Sequence, residues 1–509
     1  MPDKILVTNK SALKDKYSRE GLRAVLDAVS VLIAADKAKG LSTEFVDISD
    51  AVRMRRYQGR AVSSAKNGRQ CKDAVDAIYA AEKPSYLAIL DAPDVVPHLI
   101  LKNPTPKDGD GDVPSDLPYA SDESFTRRDA AKFAAVTRVV GRIPGIMGAA
   151  KPDYLIKQLH TAARFRSRGQ ASYLANFAIS AAPWKKSTLL SVDNIFGSKV
   201  VRLCPPTESP GVRRMLSPLS HFINCHGGPL AAEFYGQRGK SYPVSMRSKD
   251  VATGVRRGTI VAAECCFGAQ LFDPGSADGD PPVSNAYLGA GAIGFLGSTT
   301  TAYGPAEGNS GADLITQYFL IYALAGASLG RACLQARQKF VLGQKMEDPV
   351  NLKTLAQFLL LGDPSLQPCL IETPDAKAAA HIIDHSAART IRRVALVSAG
   401  KAAADSSGFP GERIVRPPKR LHRLVRKIAR ERGFRASSKN LESFHIVGGS
   451  SYGKEMKTRG MTQKVVMVTE HRPAPGKKTR GGKVLAQTRI LVTHTHDDRI
   501  IGVSEYVRK

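Results

Sequence analysis

Two short stretches carry the residue types that attack carbonyl groups. NCHGG (224–228) sets His226 ahead of two glycines, and ECCFG (264–268) sets Cys265 and Cys266 side by side just before a glycine. A thiol attacks as its thiolate, and an imidazole has the right proton affinity to make one. A glycine after the histidine allows close backbone approach, so the Gly227 N–H is available to an oxyanion. Other uses of the paired cysteines fit less well. Adjacent cysteines rarely bridge each other, because the bond distorts the peptide between them. No C-x-x-C spacing occurs among the seven cysteines, which argues against a zinc site.

The pair needs elements that bring the two stretches together. LSHFINCHGG (219–228) and GTIVAAECC (258–266) are both apolar runs that end in small, polar or reactive residues, the pattern of buried strands whose ends meet at one edge of a parallel sheet. Upstream, KILVTN (4–9), a helical pattern over 19–40, STEFVDIS (42–49), a helix near 70–82 and SYLAIL (85–90) alternate strand and helix. That alternation predicts a parallel sheet covered on both faces. Further strands are expected at NFAISAA, KVVRLC and GAIGFLGS, with helices over 310–328 and 329–343. The chain divides into an N-terminal α/β unit (1–150), a second α/β unit carrying the reactive pair (151–372), an Ala/Ser/Gly-rich linker (373–410) and a small basic α+β domain (411–509). In the last, 418–433 reads as a helix with Leu421, Leu424, Val425 and Ile428 on one face.

Net charge is +28, and residues 411–509 hold 24 Lys+Arg against 8 Asp+Glu. This asymmetry points to an acidic partner or anionic ligand at the C-terminal domain, nucleic acid included; a solvated basic face is the plainer reading. The N-terminal residues show no basic stretch before an apolar core, and no apolar run reaches the roughly 18 residues of a membrane span. Scattered cysteines, odd in number, fit a reducing compartment. A cytoplasmic protein without membrane contact is the expectation. GQRGKS (236–241) has Phe234 where a phosphate-binding loop needs its first glycine, and reads as a basic loop. The aspartates of NPTPKDGDGDVPSD (103–116) lack EF-hand spacing. No cofactor or metal is expected.

Several segments together resemble the caspase-like clan of cysteine peptidases, closest to the gingipain-type catalytic region: YLAILDAPDVVP, SDLPYAS, VGRIPG, NCHGG, ECCFGA, GFLGSTTTAYG and LLLGDPSLQP, spread over residues 1–370. The resemblance implies two tandem three-layer α/β subdomains with mostly parallel sheets, the second carrying the site. It implies a cysteine endopeptidase working through a thioester, with His226 as general base and acid and an oxyanion site formed by the N–H groups of Gly227 and the cysteine. The caspase pattern of cysteine two before glycine selects Cys266. Clan members with cysteine three before glycine leave Cys265 as the alternative nucleophile. Adjacent strand residues face opposite ways, so one thiol at most faces His226 while the strand persists. Glu233 and Asp250 are candidates to orient the imidazole, and a simple dyad with neither stays open.

Many clan members cleave after Arg or Lys, and a buried cation needs a carboxylate. LFDPGSADGDPPVS (271–284) offers Asp273, Asp278 and Asp280 for that pocket, unless they only cap turns. Gingipains are exported and the basic domain lies outside the resemblance, so control of activity by a signal or partner at 411–509 is expected. The reading from another class is an anionic-ligand or nucleic-acid binding regulator with an inactive peptidase-like core. A thiol amidase or acyltransferase uses the same chemistry.

Overall fold

Ten strands form one central sheet. In spatial order they are Thr43–Asp47, Lys4–Thr8, Tyr86–Leu90, Val140–Ile143, Phe358–Leu361, Gly294–Ser298, Ile260–Ala263, Ser220–Asn224, Asn176–Ala181 and Arg202–Cys204. The computed structural model describes residues 1–105, 107–371, 409–413, 419–437, 439–447, 463–478, 484–496 and 499–508. The stretch expected as a linker, 373–410, lies outside the described residues apart from its last two.

The mostly parallel α/β sheet matches the expectation, and the structure adds how the two units join. The first five strands are parallel to one another, as are the last five. A single antiparallel junction, Gly294–Ser298 against Phe358–Leu361, fuses the two sets into one sheet. Phe358–Leu361 therefore belongs to the second unit in sequence and to the first in the sheet. Helices follow their local signals. Asn9 caps Lys10–Ala38 by accepting from the Ala12 N–H, and Ser328 caps Leu329–Gly343 by accepting from Arg331. Asp348 caps Pro349–Gln357, with proline at the first helical position, where no N–H is needed.

Several of the quoted segments work as ties. Asp116 of SDLPYAS takes two hydrogen bonds from the buried Arg142 guanidinium of VGRIPG, at 2.9 and 2.6 Å. Burial alone would raise the Asp116 carboxyl, but Arg142 and His98 hold it well below the usual carboxylate range. Asp363 of LLLGDPSLQP pairs with the buried Lys4 of the first strand at 2.7 Å, so the end of the second unit is bound to the start of the chain.

The described residues of 411–509 pack a helix on an antiparallel sheet. Leu421, Val425 and Ala429 of Lys419–Glu431 lie against Leu441, Val466, Val468 and Leu491. Lys419, Arg420, Arg423, Lys427 and Arg430 are exposed on the outer side. No helix among the described residues is long and apolar enough to cross a membrane.

His221, in the strand leading to His226, predicts a pH effect on stability. It is fully buried between the Tyr287 hydroxyl and the Pro218 carbonyl, and burial pushes it down to about 4. The unfolded chain binds a proton at about 6.5 and the folded one does not, so stability falls as pH drops from 6.5 toward 4, by at most roughly 3 kcal/mol. Urea denaturation at pH 7 and pH 4.5 should show that loss, and His221→Asn should flatten it. Equal slopes in the two chains would contradict the assignment.

Candidate active site

The strands leading to His226 and Cys266 are direct neighbours. Ser220–Asn224 pairs in parallel with Ile260–Ala263, Ser220 opposite Ile260 and Ile223 opposite Ala263. Glu264 N–H continues the ladder to the Ile223 carbonyl at 2.8 Å. Both chains then leave the sheet at its carboxyl edge, where parallel α/β sheets place their functional loops. Counted on in register, His226 and Cys266 stand at the same level. Gly227 packs so closely that a Cβ there would lie 1.7 Å from the Cys266 carbonyl oxygen.

The two cysteines part company. Cys265 points into the apolar cluster of one sheet face with Ile179, Ile223 and Val261, its Sγ 3.8 Å from the Ile223 carbonyl. Cys266 lies in the cluster of the other face, its Sγ 3.6 Å from the Ala302 carbonyl. Phe267 follows in the left-handed region at φ 57°, an uncommon conformation for an aromatic residue that marks a strained turn. Its N–H donates to Thr300 O, and Ala269 N–H donates to Ser298 O, so the loop after the strand Gly294–Ser298 holds the turn. Burial pushes the Cys266 thiol up, and the positive charge of Arg508 pulls the other way. Burial pushes Cys265 well above the usual thiol range.

His226 is oriented by residues the sequence did not single out for that task. Its Nε2 is 2.8 Å from Gln237 Oε1, while Gln237 Nε2 donates to the Gly239 carbonyl. The amide is thereby fixed with its oxygen toward the ring, so Nε2–H donates and Nδ1 is the basic nitrogen. Trp184 and Tyr242 flank the ring at centroid distances of 4.3 and 5.2 Å. The expectation of Glu233 or Asp250 as the orienting group is corrected. Glu233 binds Arg247 and the Tyr235 hydroxyl, and Asp250 binds the Arg247 N–H and Ser209. Gln237 sits in GQRGKS, where the signal that could have marked it is only its place eleven residues after His226.

Asp273 caps a turn by accepting from Gly275 N–H and is exposed. Asp278 is exposed in the left-handed region, and Asp280 is partly buried on the same loop. Asp110, from the loop 103–116, is held to Thr301, the neighbour of the Ala302 whose carbonyl contacts Cys266 Sγ. Asp110 accepts from Thr301 N–H and Thr301 Oγ1, both at 2.8 Å, and pairs with Lys353 at 2.6 Å. Asp108 pairs with the same Lys353, and Asp112 pairs with Arg127. Among the described residues no three or more His, Cys, Asp or Glu side chains converge as a metal site.

A cleft of about 480 Å³ opens beside the cysteine loop, lined by Pro97, His98, Ile100, Phe125, Gln270 and Leu271. His98 Nδ1 is 2.9 Å from Asp116, and burial keeps its imidazole below the usual value. The cleft is mostly apolar with a few polar groups, as ligand pockets are.

The comparison with known families begins at the histidine. Residues 226–369 match peptidase family C25. The matched segment opens on His226 and contains Cys266, and it supports a cysteine peptidase. No curated protein matches the chain. Among solved structures, the complex of Porphyromonas gingivalis RgpB pro- and mature domains is similar over 99% of this chain and 99% of that one, at 10% identity and a TM-score of 0.47. A structure described as a protease is similar at 12% identity, over 99% and 97% of the two chains, with a TM-score of 0.46. The Saccharomyces cerevisiae separase–securin complex is similar over 46% of this chain and 14% of that one, at 13% identity and a TM-score of 0.30.

Proposed function

We propose that this C25-type chain is a cysteine endopeptidase in which Cys266 is the nucleophile and His226 the proton carrier. The observation that supports it best is the level, in-register exit of the two reactive residues from neighbouring strands. In this reading His226 Nδ1 takes the thiol proton as Sγ attacks the scissile carbonyl carbon. The oxyanion accepts hydrogen bonds from Gly227 N–H and Cys266 N–H. Collapse of the tetrahedral species expels the amine, which takes the proton from His226, and leaves a thioester. Water then gives a proton to His226 and attacks the thioester, releasing the acid and restoring the thiol. Gln237 holds the tautomer in which Nδ1 can do this.

The substrate is a protein or peptide lying along the His98 cleft. Asp110, rather than Asp273, Asp278 or Asp280, is the carboxylate best set to receive a basic side chain next to the scissile bond. The seven cysteines are free, which suits work in a reducing, cytoplasmic compartment. The test is a fluorogenic peptide panel on the full chain. Cleavage blocked by a thiol-directed peptide electrophile, with the label found on Cys266, is expected; cleavage indifferent to thiol reagents would overturn the reading.

The exposed cations of the helix Lys419–Glu431 favour one further role, capture of an acidic partner or polyanion by the C-terminal domain. Binding of the full chain to a polyanion that weakens steeply with salt, and weakens again in Arg423→Ala/Lys427→Ala, is the expected outcome.

A further inference from the structure

The last strand of the chain crosses to the reactive thiol. Arg499–Arg508 belongs to the C-terminal sheet, yet its end pairs antiparallel with the two-residue strand Tyr303–Gly304 of the C25 segment, Arg508 opposite Tyr303 and Val507 opposite Gly304. Tyr303 follows Ala302, whose carbonyl contacts Cys266 Sγ. That pairing brings the Arg508 guanidinium near the same sulfur, where its positive charge favours the thiolate.

The charges around it explain why an arginine ends there. Asp108 and Asp110 share one buried cation, Lys353, and the Asp108 and Lys353 side chains are fully buried. Two carboxylates and one ammonium leave one negative charge uncompensated, and a second cation close by offsets it. Arg508, half-buried at the end of its strand, is the cation whose charge acts on Asp110.

The rest of the C-terminal domain is anchored around the same mouth. Tyr506 packs with Tyr303 and Val350 of the C25 segment and with Phe444, Val465 and Met467 of its own domain. Its hydroxyl donates to Asp348 at 2.5 Å. Lys107, on the loop that carries Asp110, donates to Lys439 O, and His471 Nε2 donates to the Lys107 carbonyl.

We infer that Tyr303–Gly304 is an edge for docking an extended peptide strand and that its resident occupant is the chain's own Arg499–Arg508, which seats Arg508 over Cys266 and keeps the site shut. The inference rests on the peptidase reading for the word "shut", but not for the contact. The kind of partner that fits this edge in place of the resident strand is an extended peptide with Arg or Lys at the Arg508 position. Main-chain pairing supplies strand affinity, and the carboxylate pair supplies the choice of side chain. The pairing is only two residues long, so the strand end can leave while Tyr506 stays anchored.

The experiment uses the full chain with Arg508→Ala or Arg508→Met, the second preserving apolar packing, and Lys14→Ala, exposed on the helix Lys10–Ala38, as a control. Two rates are read: alkylation of Cys266 by iodoacetamide, followed by mass spectrometry, and cleavage of the peptide panel. If the closed form outweighs the open one by about ten to one, removing the plug raises both rates about tenfold. The synthetic peptide RIIGVSEYVRK should slow both rates again in the Arg508 variants, and the same peptide with alanine at the Arg508 position should not. Faster alkylation without any cleavage would uphold the plug and sink the peptidase reading. Unchanged alkylation in both Arg508 variants, whatever the cleavage rate, would overturn the plug.

Discussion

Cys266→Ala lowers peptide cleavage by about 10⁴-fold or more, while Cys265→Ala leaves it within a few-fold. The gap follows from the two sheet faces. Cys265 is packed among Ile179, Ile223 and Val261 and turned toward the Ile223 carbonyl, so its sulfur fills space beneath the site. Trimming it to alanine costs about 1 kcal/mol of packing and moves no reacting atom. Cys266 stands on the opposite face, at the strained Phe267 turn, against Ala302 and Arg508. A nucleophile acts as a unit with its base, so losing it forfeits nearly all of their joint effect. The measurement is kcat/KM for the two variants in the Arg508→Ala background, where the plug does not mask the difference. Equal losses would mean that the strand has been read in the wrong register.

Gly227→Ala is the second large effect. The added methyl would sit 1.7 Å from the Cys266 carbonyl oxygen and 2.9 Å from its carbonyl carbon. Both neighbours are backbone, so no side chain can swing aside, and the two strand ends must separate by more than about 1 Å to reach van der Waals contact. A displacement of that size at reacting groups costs about 10²-fold, and a misplaced oxyanion N–H another similar factor. Stability falls as well, by about 1–3 kcal/mol, as overpacking does. A loss in kcat with KM nearly constant is the signature of misaligned chemistry. A fall in melting temperature with kcat intact would show that the glycine serves packing alone.

The strands and helices around the site were legible because their signals are local. Alternating apolar runs and helical periods over 4–90, and the apolar strands ending at Asn224 and Ala263, lie within single stretches of chain, where period and burial are written by neighbouring residues. So was the pairing of interest, since a histidine and a cysteine at like ends of two buried parallel strands point to one sheet edge. The helix Lys419–Glu431 was legible from its apolar stripe.

What escaped the sequence depends on groups brought together across long separations. Asp110 reaches Thr301 across 191 positions, Lys353 balances two aspartates from a loop that looked only turn-rich, and Arg508 meets Cys266 through a strand pairing of two residues. Gln237 orients His226 because a turn fixes its amide, which no spacing announces. The fusion of two parallel sets into one sheet rests on the antiparallel seating of Phe358–Leu361 beside Gly294–Ser298. Residue types and periods by themselves determined the parallel α/β units and the like strand ends that carry His226 and Cys266. Only tertiary packing decided which thiol faces which side and which strand end and charges lie near it, because those outcomes follow from sheet register and from the balance of charge rather than from neighbouring residues.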